Sequence, residues 1–199
     1  MIAVVHGPRG CGKSTALRAW LARHGWMPPR GFRTFFGDSE GPLCLSAWEE
    51  GSPAFAITAK PRDSGGFTPS SRQCPSRAWD SAFAPALDAF LDTVFFGGCP
   101  TASLQVQPPI PPSLPPPSIP RSPWSFDSPA FWRAALSTLG GETSRPLIID
   151  ELGLFETLPG ALDPVALRRL LSAVHAAPRA IVVVQDRALG FWLRALAEA

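Results

Sequence analysis

The 199-residue chain is short of charge: its formal net charge is +2, and only 17% of its residues are Asp, Glu, Lys or Arg. No bulk field is available to hold nucleic acid or an anionic membrane, so neither is an expected partner. Cysteine and histidine are sparse as well. Cys11, Cys44, Cys74 and Cys99 stand apart without a C-x-x-C pair, and with three histidines they compose no recognisable zinc site. A reducing, cytoplasmic setting is the simpler expectation. No apolar run approaches the roughly 20 residues that span a bilayer. Residues 1–6 carry no basic leader segment, so no targeting peptide is expected either. The length leads to one domain over residues 1–199, with an insertion inside it.

Lysine is rarer still, since Lys13 and Lys60 are the only two. Lys13 lies in residues 7–15, GPRGCGKST, which fit the Walker A pattern G-x-x-x-x-G-K-[ST]. An apolar run precedes the motif and a helical pattern follows it, which is the context that a phosphate loop requires. Gly7, Gly10 and Gly12 let backbone N–H groups close around phosphate oxygens, because no Cβ blocks the approach. Pro8, Arg9 and Cys11 complete the loop, and the helix N-terminus after it adds donors and a partial positive charge. In this reading Lys13 reaches the β- and γ-phosphates, Ser14 holds Mg²⁺ through its hydroxyl, and Thr15 lies near the α-phosphate.

Beyond the loop, Ala16, Leu17, Trp20 and Leu21 recur at helical spacing until Gly25. Residues 32–36, 43–48 and 55–59 read as hairpin-connected strands, forming a small β-unit beside the main sheet. Residues 60–77 read as a basic loop with Lys60, Arg62, Arg72 and Arg77. Ala84-Pro85 reads as a helix start, with an apolar stripe of Leu87, Phe90, Leu91, Val94 and Phe95. Residues 99–129 form a proline-rich insertion in which neither helix nor central strand is expected to persist. A polyproline segment there offers a protein partner a surface, although an ordinary surface excursion explains the composition as well. Ser128-Pro129 and Asp163-Pro164 each read as the start of a helix, and Asp186 as the cap of a last one. Strands at residues 147–149 and 180–184 alternate with these helices, so the fold class is α/β, with a mainly parallel sheet covered on both faces.

The strand at 147–149 ends in Asp150-Glu151, a Walker B-like delivery of carboxylates to the C-terminal edge of the sheet. Asp150 is the candidate to hold Mg²⁺ through water, and Glu151 to orient and deprotonate an attacking water. Gln185, at the end of the next strand, is either a polar strand end or a group that senses the γ-phosphate. Arg9 and Arg187 are candidate arginine fingers, with solvated arginines the plainer reading, and His6 reads as a satisfied strand-end residue.

Residues 7–15 together with Asp150-Glu151-Leu152-Gly153-Leu154-Phe155-Glu156 resemble the THEP-type, cancer-related nucleoside-triphosphatase family, as does Gly31-Phe32-Arg33-Thr34. That family's loop typically reads GPPGxGKTT and its acidic motif DEIGxME. The resemblance implies a RecA-like P-loop sheet, with another strand between the phosphate-loop strand and its neighbour. It also implies Mg²⁺-dependent hydrolysis of ATP, GTP and other triphosphates, with Lys13, Ser14 and Thr15 as nucleotide ligands, Asp150 supporting the metal and Glu151 as catalytic acid. Arg9 replaces the usual second proline, Phe36 stands where an acid is expected, and residues 100–129 have no counterpart in compact members. Two further functions fit the same loop: a phosphotransferase acting on a small hydroxyl acceptor, and a nucleotide-dependent switch that regulates a protein partner.

Overall fold

The central strands are apolar on both sides, so each must be covered twice. The computed structural model describes residues 1–7, 12–36, 42–59, 76–97, 101–105, 125–153, 157 and 160–199. Pro8, Arg9, Gly10, Cys11, the stretches 60–75 and 106–124, Cys74, Cys99, Leu154, Phe155 and Glu156 lie outside the described residues. In β1 (Ile2–Gly7), Ala3 and Val5 enter one apolar cluster and Val4 the other. The same division runs through β8 (Leu147–Leu152), where Ile148 faces away from Leu147 and Ile149. In β9 (Ala180–Gln185), Ile181 and Val183 face away from Ala180, Val182 and Val184.

Helices α1 (Lys13–Arg23) and α2 (Ser76–Phe96) cover the first face, with Leu17, Trp20, Leu21, Leu87 and Leu91 buried against it. Helices α3 (Ser128–Ser137), α4 (Pro164–Ala176) and α5 (Leu189–Glu198) cover the second through Phe131, Leu170, Leu171 and Trp192. Each fully buried side chain of this size contributes about 2 kcal/mol. Asp163 caps α4 by accepting from the Val165 and Ala166 N–H groups, with Pro164 in the first turn. The strand–helix alternation thus yields the expected α/β arrangement.

Seven strands form one sheet among the described residues, in the order β4-β3-β2-β8-β9-β1-β6. Here β2 is Arg30–Phe36, β3 Leu43–Ala47, β4 Phe55–Ala56 and β6 Thr101–Gln105. From β2 through β6 all neighbours are parallel, while β2-β3-β4 is antiparallel. The hairpin strands therefore extend the main sheet instead of standing beside it. A separate two-stranded pairing joins β5 (Thr58–Ala59) to β7 (Ser125–Phe126).

Strand β6 forms within the proline-rich insertion as an edge strand, not a central one: residues 101–105, TASLQ, contain no proline and pair with β1. Three local expectations are corrected. Helix α2 starts at Ser76 and runs through Pro85, since one lost hydrogen bond is offset by the apolar stripe from Phe83 to Phe95. Asp127, not Ser128, caps α3 by accepting from the Ala130 N–H, and the Ser128 hydroxyl donates to the Ala161 carbonyl. Asp186 opens a short 3₁₀ turn ahead of α5, and its carboxylate meets His6 instead of capping the helix.

Gly31 marks a close approach of two strands. It pairs with Ile148 at φ +94°, and a Cβ built there would lie 2.2 Å from the Ile148 carbonyl oxygen. The Trp48 indole N–H donates to that same oxygen at 3.1 Å, so the carbonyl cannot turn away without losing a buried bond. Gly31→Ala is expected to cost about 3 kcal/mol or more in urea unfolding. Gly25→Ala, at φ +66° with nothing within 4 Å of its Cβ position, is the control and should cost about 1 kcal/mol. Equal losses would contradict the close packing of β2 on β8.

Candidate functional site

Parallel strands deliver their C-terminal ends to one edge, where the following loops meet. Val4 of β1 and Ile149 of β8 both pair with Val182, from opposite sides of β9. The segments that follow Gly7 and Ile149 are thus separated by a single strand. Helix α1 closes the gap: the Ser14 hydroxyl donates to Asp150 Oδ1 at 2.9 Å, across 136 positions of sequence.

Gly12 adopts φ +86°, and its carbonyl accepts from the Ala16 N–H at 2.9 Å, which opens α1 in the direction of the sheet edge. The first-turn N–H groups of a helix have no intrahelical acceptor, and the helix dipole adds positive potential there. Lys13 is buried at 6% exposure, and its ammonium donates to the Gly7 carbonyl at 2.8 Å. Burying an ammonium costs several kcal/mol unless it is paired, so this site holds a charge that packing alone does not call for. Thr15, in the first turn of α1, is exposed.

Asp150 is buried at 2% exposure, and its carboxyl is pushed up to about 7. Burial is the largest cause; the Ser14 hydrogen bond opposes it, Glu151 adds to it, and the Lys13 and Arg33 charges pull back down. The next residue, Glu151, has φ +76°, rare for a side chain with a Cβ, at the point where the β8–β9 register shifts between Ile149 and Leu152. This irregularity breaks the strand alternation and re-aims the Glu151 carboxylate. The Gln185 amide donates to Glu151 Oε1 at 3.0 Å. Gly153 leaves room for that amide, since a Cβ there would stand 3.1 Å from Gln185 Nε2. The backbone around the acids is held too: Thr34 donates to the Asp150 carbonyl at 3.4 Å and the buried Trp192 indole to the Gly153 carbonyl at 3.1 Å.

Gly7, Gly12, Lys13, Ser14, Asp150, Glu151 and Gln185 are therefore gathered at one sheet edge. Pro8, Arg9, Gly10 and Cys11 lie outside the described residues. His6 bonds Asp186 through Nδ1 at 2.9 Å, with the carboxylate Oδ1 accepting, and Arg187 is exposed. Sequence reasoning missed the Thr34 hydroxyl and the charge of Arg33. Their signal was the Gly-Phe-x-Thr element, but its meaning depends on β2 pairing parallel with β8, which places Arg33 opposite Asp150.

Ser14 and Asp150 supply hard oxygen donors, the kind that Mg²⁺ prefers. Among the described residues no three His, Cys, Asp or Glu side chains converge, so a cation here would draw most of its ligands from water and phosphate. That suits an ion which dehydrates reluctantly. The donor set fits Mg²⁺.

The raised Asp150 carboxyl has a stability consequence. Unfolded, the group loses its proton near 4; folded, it keeps the proton until about 7, so the native state binds more protons between those values. Stability without metal therefore falls as pH rises through that window, by an amount of order 4 kcal/mol. In chelator, Asp150→Asn should melt close to the parent near pH 5 and clearly above it at pH 8. A parent-minus-variant difference that stays flat across this range would contradict the assignment. Compared with protein-family models, curated proteins and solved structures, the chain gives no match, so the site stands on its own geometry.

Proposed function

We propose that the chain is a P-loop nucleoside triphosphatase that hydrolyses ATP, GTP or related triphosphates to the diphosphate and phosphate with Mg²⁺. The observation that carries this reading is the 2.9 Å bond from Ser14 to Asp150, which joins the phosphate-loop motif to the acidic strand end. The position of β9 between β1 and β8 supports it further, being the order that the resemblance to THEP-type enzymes implies.

Ser14 and Asp150 would hold the metal, Asp150 through water. Bound magnesium would offset charge on the phosphate oxygens. Lys13 would leave the Gly7 carbonyl for the β- and γ-phosphates, an exchange of one acceptor for a stronger, anionic one. Glu151 accepts a proton from water as its oxygen bonds to the γ-phosphorus. The bond from that phosphorus to the β–γ bridging oxygen breaks, and the diphosphate departs with the electron pair. Gln185 holds one oxygen of the Glu151 carboxylate, and the other oxygen would take the proton from water. No base-reading motif accompanies the loop, so weak base selectivity is expected.

Glu151→Gln should reduce phosphate release at least about 100-fold while fluorescent-nucleotide affinity stays within about threefold. Gln185→Ala should lower turnover less, about tenfold, again with affinity retained. Phosphate release by Glu151→Gln at the parent rate would remove Glu151 from the chemistry. Product transfer to a hydroxyl acceptor, instead of release as inorganic phosphate, would favour a phosphotransferase.

A further inference from the structure

We propose that Arg33 is a second phosphate-binding cation of this site, placed to contact the γ-phosphate of a bound triphosphate from the side opposite Lys13. The inference rests on the nucleotide-site reading above and names a residue that the motifs do not assign.

Strand order fixes the geometry. Asp150 lies on β8, between β2, which carries Arg33, and the β9–β1 pair that leads to Lys13. Arg33 and Asp150 are register partners on parallel strands, so their side chains project to the same face. That face is settled by the residue before each one: Phe32 and Ile149 also pair, and both belong to the cluster under α3, where Phe32 meets the Phe131 ring at 5.9 Å. Arg33 and Asp150 consequently face α1, the side from which Ser14 reaches Asp150. Two cations thus flank one buried carboxylate, and both lower its affinity for a proton.

The bonding of Arg33 leaves its fork available. Its Nε donates to the Ser46 hydroxyl at 3.3 Å, and its guanidinium carbon lies 5.5 Å from the Phe35 ring centroid. Among the described residues no carboxylate forms an ion pair with it, in contrast to Arg23 with Asp88 and Arg145 with Glu49. A half-buried guanidinium held through Nε presents its two Nη groups together, and that planar pair matches two oxygens of a phosphate. Lys13 stands at the loop, whereas Arg33 stands beyond Asp150 in the strand order, so the proposed contact is to the terminal phosphate of a triphosphate, a group that a diphosphate lacks.

The test compares phosphate number. A fluorescent triphosphate analogue with a non-hydrolysable β–γ link, and the matching diphosphate, are titrated with Mg²⁺ into parent, Arg33→Ala and Arg33→Lys proteins, with thermal melts in parallel. Arg33→Ala is expected to weaken the triphosphate analogue about tenfold or more and the diphosphate less than about twofold. Arg33→Lys should show a smaller loss of the same selectivity, and it carries the comparison if Arg33→Ala does not fold. Equal loss for both ligands, or no loss for either, overturns the role of Arg33 and leaves the nucleotide site standing. A parent protein that binds neither ligand overturns both.

Discussion

Val182 has Val4 on one side and Ile149 on the other, and the site depends on that pairing. Parallel registration of β1, β9 and β8 sends the chain after Gly7 and the chain after Ile149 over the same edge. Parallel strands buried on both faces need an apolar run with no polar face, and Ala180 through Val184 supplies one. With this strand at the centre, α1 has one place to pack, and Ser14 comes within hydrogen-bonding distance of Asp150. A register slip of one residue would turn Asp150 to the opposite face, among Phe131 and Trp192.

Among the described residues, the edge accumulates features that the rest of the fold avoids. A buried ammonium, a buried carboxyl whose proton affinity is raised by burial, and a glutamate at φ +76° all lie within a few residues of the strand ends. Each costs free energy on the order of one to several kcal/mol. Two apolar clusters offset these costs, one under α1 and α2 and the other under α3, α4 and α5. Concentrated local cost amid consistent packing is the pattern that the proposed phosphate chemistry would call for.

How much of this was legible in the sequence follows from the range of each interaction. Lys13, Ser14, Asp150 and Glu151 were readable because a loop motif and an apolar strand ending in acid are local patterns. The α4 start at Asp163-Pro164 was readable for the same reason, since its cap is made within three residues. Strand β6 was hidden because the prolines around it dominate the composition, and only its pairing with β1 distinguishes residues 101–105. Pro85 concealed the first turns of α2, whose persistence is decided by burial of Leu87, Leu91 and Val94 and not by local propensity. The positive φ of Glu151 has no sequence signature, because it arises from the register shift against β9. Arg33 was visible as a residue but not as a neighbour, since the parallel pairing of β2 with β8 joins positions far apart in the chain.

The central claim is that this edge exists to bind phosphate, and Lys13 separates it from a structural alternative most directly. Fluorescent triphosphate titrated into parent, Lys13→Ala and Lys13→Arg proteins should show affinity in the parent and a loss of about 100-fold or more in both variants. An arginine fork cannot occupy the space of the compact ammonium that now rests on the Gly7 carbonyl. Melting temperatures measured without ligand should stay near that of the parent. Equal affinity in all three proteins, or a collapse of the unliganded fold in Lys13→Ala, would contradict the account and make Lys13 a structural residue.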